Sequence, residues 1–156
     1  MSRPKPGDNA PDFTAPVTGG DYGDQAFVRL SDLKGEPVVL YFYPRDATPG
    51  CTVQACDLRD NWEAVSARAK VFGVSVDTLR KHQNFIAKQE LPFPLISDAD
   101  QKIVDSYGVW VEKKMYGKTF MGIERSTFII DPKGKISHIL EKVKPKEHVA
   151  QLLENL

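Results

Sequence analysis

Two cysteines in 156 residues are too few to staple a fold. A chain of this length buries a continuous apolar core without disulfides or structural metal, so Cys51 and Cys56 matter, if at all, for their reactivity. The sequence also lacks net charge, because 21 Lys and Arg balance 21 Asp and Glu. No long-range field draws it to phosphate backbones or anionic bilayers, and neither nucleic acid nor membrane is expected as a partner. Long apolar runs are missing too. The stretch from Val38 to Tyr43 is far below the roughly 20 residues that a membrane-spanning helix needs, and it reads as a buried strand. Met1 to Asp8 carries basic residues with no apolar stretch behind them and does not resemble a secretory signal, which makes a cytoplasmic location the expectation. There is no low-complexity tract, internal repeat or linker. Residues 1–156 are expected to form one globular domain.

What is present is an alternation of apolar runs and amphipathic stretches separated by Gly, Pro and Asp, the pattern of an α/β domain. Val28 to Leu30 reads as a short edge strand. Pro37 to Tyr43 is apolar on both faces, as a central strand covered on both sides requires, and Pro44 ends it. A helix is expected from Thr48-Pro49, with Thr48 as its cap and Pro49 at the first helical position; Val53, Cys56, Trp62, Val65 and Ala69 mark its apolar side. Lys70 to Val76 reads as the next strand, Leu79 to Gln89 as a helix, Phe93 to Ile96 as a strand and Gln101 to Tyr107 as a short helix. Ser126 to Ile130 and Lys135 to Leu140, joined by Asp131-Pro-Lys-Gly134, read as an antiparallel hairpin across a type I turn. A last helix runs from about Pro145 to Leu156, with Val149, Leu152, Leu153 and Leu156 at helical spacing. Two parallel crossovers, a terminal hairpin and a closing helix match a thioredoxin-like fold, with a central mixed β-sheet flanked by helices.

The segment from Pro44 to Cys56 carries the chemistry. With Thr48 as the cap, Cys51 falls in the first helical turn, where free N–H groups and the positive end of the helix dipole favour a thiolate. The turn leads from a central strand into a helix at the carboxyl end of the sheet, where open α/β sheets bind ligands. A small buried hydrophobe is the competing reading of Cys51. The Thr48 hydroxyl, both donor and acceptor, can cap the helix or touch the thiolate region. Pro44 terminates a strand and could also shield the thiolate from water. Arg125 directly precedes the strand expected beside Tyr43. Its guanidinium either reaches Cys51, where a permanent cation would favour the thiolate, or pairs on the surface with Glu124 or Asp131.

These residues resemble the peroxiredoxin signature Pro-x-x-x-Thr-x-x-Cys, here Pro44, Thr48 and Cys51. The spacing Cys-x-x-x-x-Cys resembles the bacterioferritin comigratory protein, or peroxiredoxin Q, subgroup. The resemblance runs from Gly7-Asp-Asn-Ala-Pro-Asp-Phe13 through Tyr107-Gly-Val-Trp110 and Lys113-Lys-Met-Tyr-Gly117 to Gly122-Ile-Glu-Arg-Ser-Thr-Phe128. It implies that Cys51 is the peroxidatic cysteine, that Cys56 is the resolving cysteine, and that Pro44, Thr48 and Arg125 complete the site. It also implies a hydroperoxide substrate, an intrachain disulfide and re-reduction by thioredoxin or a similar dithiol, with no metal or organic cofactor. One position departs from the subgroup: residue 54 is Gln where Glu is common.

Placing both cysteines on one helix separates them by about 7.5 Å along the axis and about 140° around it, or about 8.7 Å between Cα atoms. An unstrained disulfide spans at most roughly 7 Å. The segment from about Gly50 to Arg59 is therefore expected to unwind on oxidation, unless Cys56 lies outside the helix. No further cysteine is available for a second subunit to offer from its C-terminal end, so a monomer suffices, and a dimer is also compatible. Two other functions use the same residues. A protein disulfide oxidoreductase normally has Cys-x-x-Cys, and the four intervening residues argue against it. A metal site or thiol redox sensor would add His82, His138 or His148, all of which sit in polar contexts that read as solvated.

Overall fold

The computed structural model describes residues 3–156; Met1 and Ser2, the first residues of the expected domain 1–156, lie outside the described residues. Nine strands form among the described residues: β1 (Thr14–Thr18), β2 (Ala26–Arg29), β3 (Val38–Phe42), β4 (Lys70–Ser75), β5 (Leu95–Ser97), β6 (Trp110–Met115), β7 (Lys118–Ile123), β8 (Ser126–Ile130) and β9 (Ile136–Leu140). Among the described residues five α-helices accompany them: α1 (Pro49–Asp60), α2 (Trp62–Ser66), α3 (Leu79–Gln89), α4 (Lys102–Ser106) and α5 (His148–Asn155). Seven strands make one mixed sheet in the order β2-β1-β5-β4-β3-β8-β9, and β6 and β7 pair only with each other. The β3/β4 and β4/β5 pairs are parallel, and β8 runs antiparallel to β3 and β9.

The period-2 alternation of a strand sends neighbouring residues into two cores. Leu40 and Phe42 of β3 pack with Phe72, Phe128 and the α4 residues Ile103 and Val104. Val39 and Tyr41 face the other way, into Leu58, Phe85, Leu95 and Leu152, beneath α1, α3 and α5. Every residue of β3 is buried, as its apolar run requires. Gly73 of β4 lies opposite Tyr41, and a Cβ there would stand 2.9 Å from the Tyr41 hydroxyl and 2.7 Å from Leu95 Cδ2. Only glycine lets the Tyr41 ring lie across that strand.

Several expectations need correction. The apolar side of the first helix is not the stripe through Val53 and Cys56. Cys51, Gln54, Ala55 and Leu58 are its buried residues, Val53 is exposed and Cys56 is half-buried. The reason is a break at Asn61, whose amide group donates to the Asp57 carbonyl at 2.8 Å and closes α1. Helical phase does not carry across that break, so Val65 and Ala69 are buried on their own account. Strand β1 and the β6/β7 hairpin were not anticipated as strands. The Asp131 turn forms as expected: Gly134 takes φ +89 and its N–H donates to the Asp131 carbonyl at 2.9 Å.

Candidate active site

Strand β3 ends at Phe42, Pro44 follows half-buried, and residues 44–48 lead into α1. Thr48 has the extended backbone of a cap residue, φ −78 and ψ 155, and its carbonyl accepts the first helical hydrogen bond from Thr52 at 2.9 Å. Its side chain does not cap. The hydroxyl donates back to the Arg45 carbonyl at 2.9 Å, which leaves the oxygen lone pairs free to accept and the first N–H groups of α1 free of a side-chain partner. Capping, the simpler role for Thr48, is thus not the one it takes.

Cys51 lies in this first turn, 2% exposed. Arg125 reaches it from the start of β8. The register sets Ser126 opposite Phe42, so the residue before it stands level with the end of β3. Both terminal nitrogens of Arg125 lie 3.5 Å from Cys51 Sγ. The same guanidinium donates to Gln54 Oε1 at 2.5 Å. Gly50 makes this approach possible, since a Cβ on it would stand 3.2 Å from Arg125 Nη2. The surface alternative for Arg125 fails: Glu124 pairs with Arg3 at 2.6 Å, and Asp131 accepts the backbone N–H groups of Lys133 and Lys135. A second cation, Lys113 of β6, donates to the Ile123 carbonyl at 2.7 Å. Burial, and then Arg125, hold its ammonium below the ordinary lysine range.

Cys56 belongs to the same helix and is a free thiol like Cys51. Its Sγ donates to Gln89 Oε1 of α3 at 3.3 Å, away from Cys51. The structure thus brings Cys51, Thr48, Pro44 and Arg125 to one end of the sheet and leaves Cys56 on a different face of α1. An apolar hollow of about 540 Å³ opens beside the helix start, walled by Pro49, Gly50, Val53 and Pro145. Trp62 packs on Phe93 with ring centres 5.5 Å apart and Trp110 packs against the core, so neither lines this hollow. Phe120 is exposed on β7.

The histidines differ from expectation. His82 and His148 are fully buried, and only His138 is exposed. His82 bonds Asp46, and His148 Nε2 lies 2.8 Å from Thr127 Oγ1. Neither is bonded to a cysteine, so the metal or sensor arrangement built on Cys51, Cys56 and a histidine does not form. Asp46 was not anticipated in this region; Gln54, noted as a departure from the family pattern, bonds Arg125, and His82, considered beside the cysteines, bonds Asp46 instead. Nothing local marks Asp46 or His82, because their partners lie 36 residues apart in sequence.

A buried thiol at a helix start under an arginine, on a mixed sheet of thioredoxin-like arrangement, defines the class of thiol-dependent redox enzymes. Residues 6–139 match the AhpC/TSA family. Peroxiredoxin Bcp of Bacillus subtilis is 48% identical over 151 residues, covering 96% of this chain and 93% of that protein. Peroxiredoxin Bcp of Escherichia coli is 44% identical over 149 residues, covering 95% and 92%. Among solved structures, a cysteine-to-serine mutant of PrxQ from Xylella fastidiosa superposes with a TM-score of 0.85 at 34% identity, covering 99% of this chain and 96% of that one. The bacterioferritin comigratory protein of Xanthomonas campestris, whose structures bear on its alkyl peroxide reduction, gives 0.83 at 36% identity, covering 91% and 88%. The chain therefore belongs to the AhpC/TSA family and is a peroxiredoxin, an enzyme of thiol-based peroxide reduction.

Proposed function

We propose that Cys51 is the thiol that attacks the peroxide, that Cys56 resolves the product, and that a dithiol of the thioredoxin type restores both. The observation that carries this reading is the Arg125 guanidinium held 3.5 Å from Cys51 Sγ at the start of α1. A cation and free helix N–H groups favour the thiolate, and the same donors meet the negative charge that develops on the departing oxygen. The Cys51 thiolate attacks one peroxide oxygen, the O–O bond breaks, and the sulfur keeps that oxygen as a sulfenic acid. The other oxygen leaves as hydroxide or alkoxide and takes a proton from solvent to become water or an alcohol. Thr48, whose hydroxyl proton is committed to Arg45, accepts the peroxide O–H and orients it. Pro44 covers the approach from the strand side.

Cys56 then attacks the sulfenic sulfur, forming the disulfide and releasing water. An external dithiol reduces that disulfide by exchange, through a mixed intermediate, and is itself oxidised. The hollow beside Pro49 and Val53 supports organic hydroperoxides as substrates alongside hydrogen peroxide. Both thiols lie in one chain, which supports a monomer as the working unit.

Peroxide treatment of Cys51→Ser and Cys56→Ser proteins, read by intact mass and sulfenate trapping, tests the assignment. Cys51→Ser is expected to be inert. Cys56→Ser should consume about one equivalent and stop at a trappable sulfenate. Turnover by Cys51→Ser at the wild-type rate would sink the reading.

A further inference from the structure

Helix α3 touches α1 and the loop before it at two places of different character. The loop, residues 44–48, takes a sharp path in which Ala47 has φ 62, a left-handed conformation that disfavours a residue with a Cβ. Something outside the loop has to hold it there. Asp46 is the residue held. Its Oδ1 accepts the Tyr43 hydroxyl at 2.5 Å, its Oδ2 lies 2.6 Å from His82 Nδ1, and its N–H donates to Asp77 Oδ2 at 2.8 Å. Asp77 is itself fixed by the Ser75 hydroxyl at 2.6 Å.

His82, at the start of α3, is fully buried, and its Nε2 lies 2.9 Å from the Ile96 carbonyl. A carbonyl only accepts, and so does a carboxylate. Both ring nitrogens therefore face oxygen acceptors, and removing either partner of the Asp46–His82 pair strands the other in a dry interior. The far end of α3 is different. Gln89, two turns on, offers only a contact to the Cys56 thiol at 3.3 Å and its carbonyl to Arg59 at 2.7 Å, both partly exposed.

We propose that Asp46 and His82 are a positioning pair that keeps the 44–48 loop in place while α1 comes apart and re-forms in each turnover. The pair does not touch substrate; it acts through the loop that carries Thr48. The inference rests on the reading of Cys51 and Cys56 as the reacting thiols. It assigns the N-terminal end of α3 as the fixed jaw and the Gln89 end as the one that lets go.

Asp46→Ala, Asp46→Asn and His82→Gln proteins test this. The readouts are the single-turnover rate of Cys51 with hydrogen peroxide and the hydrogen exchange of the oxidised protein. Asp46→Ala is expected to slow sulfenate formation by about tenfold, because small misplacements of reacting groups have effects of that order. In its oxidised form, loss of protection should spread from α1 back to Tyr43 and Asp46. Asp46→Asn can accept from Tyr43 with its oxygen and donate from its amide to a neutral His82, so it should restore the rate to within about threefold of wild type. Should Asp46→Ala not fold, His82→Gln gives the same comparison from the other side. A lowered melting temperature with an unchanged rate in Asp46→Ala would mark the pair as structural only and overturn the proposal, leaving the peroxidase reading intact. Wild-type protein that forms no Cys51–Cys56 disulfide would overturn both.

Discussion

Arg125 has no carboxylate partner among the described residues, and its charge faces a sulfur and a neutral amide. The amide is Gln54, fully buried, with Nε2 left unbonded. A carboxylate at this position would compensate the guanidinium and compete with the Cys51 thiolate for it. Gln54→Glu is therefore expected to slow the reaction of Cys51 with peroxide several-fold at neutral pH. Single-turnover kinetics with hydrogen peroxide measure the change, and an unchanged or faster rate would refute this role for Gln54. The same residue shows what a sequence conveys at this scale. Position 54 stood out only as a departure from the family pattern, and its contact with Arg125 came from the fold. His82 and His148 misled because a histidine's neighbours in sequence say nothing of partners that arrive from another strand or loop.

Helix α1 contains both cysteines in one unbroken run, Pro49–Asp60, so the escape in which Cys56 lies outside the helix is closed. About 8.7 Å between Cα atoms exceeds what a disulfide spans. Amides from Thr52 to Leu58 are expected to lose protection on oxidation and regain it on reduction; hydrogen exchange on the two redox forms measures this, and equal protection would sink it. The elements that were legible in sequence are those whose signal is burial. Strand β3 is apolar on every residue, α3 spans Leu79–Gln89 as its spacing predicts, and the β8/β9 hairpin follows from Asp131 and Gly134. Strand β1 was obscured by Pro16 in a five-residue run. The β6/β7 hairpin lacks the alternation of a half-buried sheet, because it pairs only with itself and most of its residues are exposed. Its structural use lies elsewhere: it sets Lys113 near Arg125.

Across the molecule, the sheet separates two cores, and α5 closes the one beneath α1 by setting His148 between Tyr41 and Thr127. His148 is fully buried, and burial, then the charge of Arg125, pushes its titration down from 6.5 to about 3. The folded protein therefore refuses a proton that the unfolded chain accepts below about pH 6.5. Above that pH the residue has no linked effect. Between about 6.5 and 3, stability falls as pH falls, by about 1.4 kcal/mol per unit from this side chain. Urea unfolding at pH 7 and pH 5 should show a loss about 2 kcal/mol larger in wild type than in His148→Gln. An equal loss in both would show that His148 is not the group responsible.

The continuous α1 also acts as a clock. In the proposed cycle the Cys51 sulfenic acid cannot meet Cys56 until the helix opens, so its lifetime is the waiting time for that opening. A second peroxide that arrives first carries the sulfur to sulfinic acid, from which simple thiol exchange gives no return. The stability of a twelve-residue helix, rather than any group touching the substrate, would then set the peroxide level at which the enzyme destroys itself. A sequence change that tightened α1 would leave a single turnover untouched and shorten the working life of the molecule.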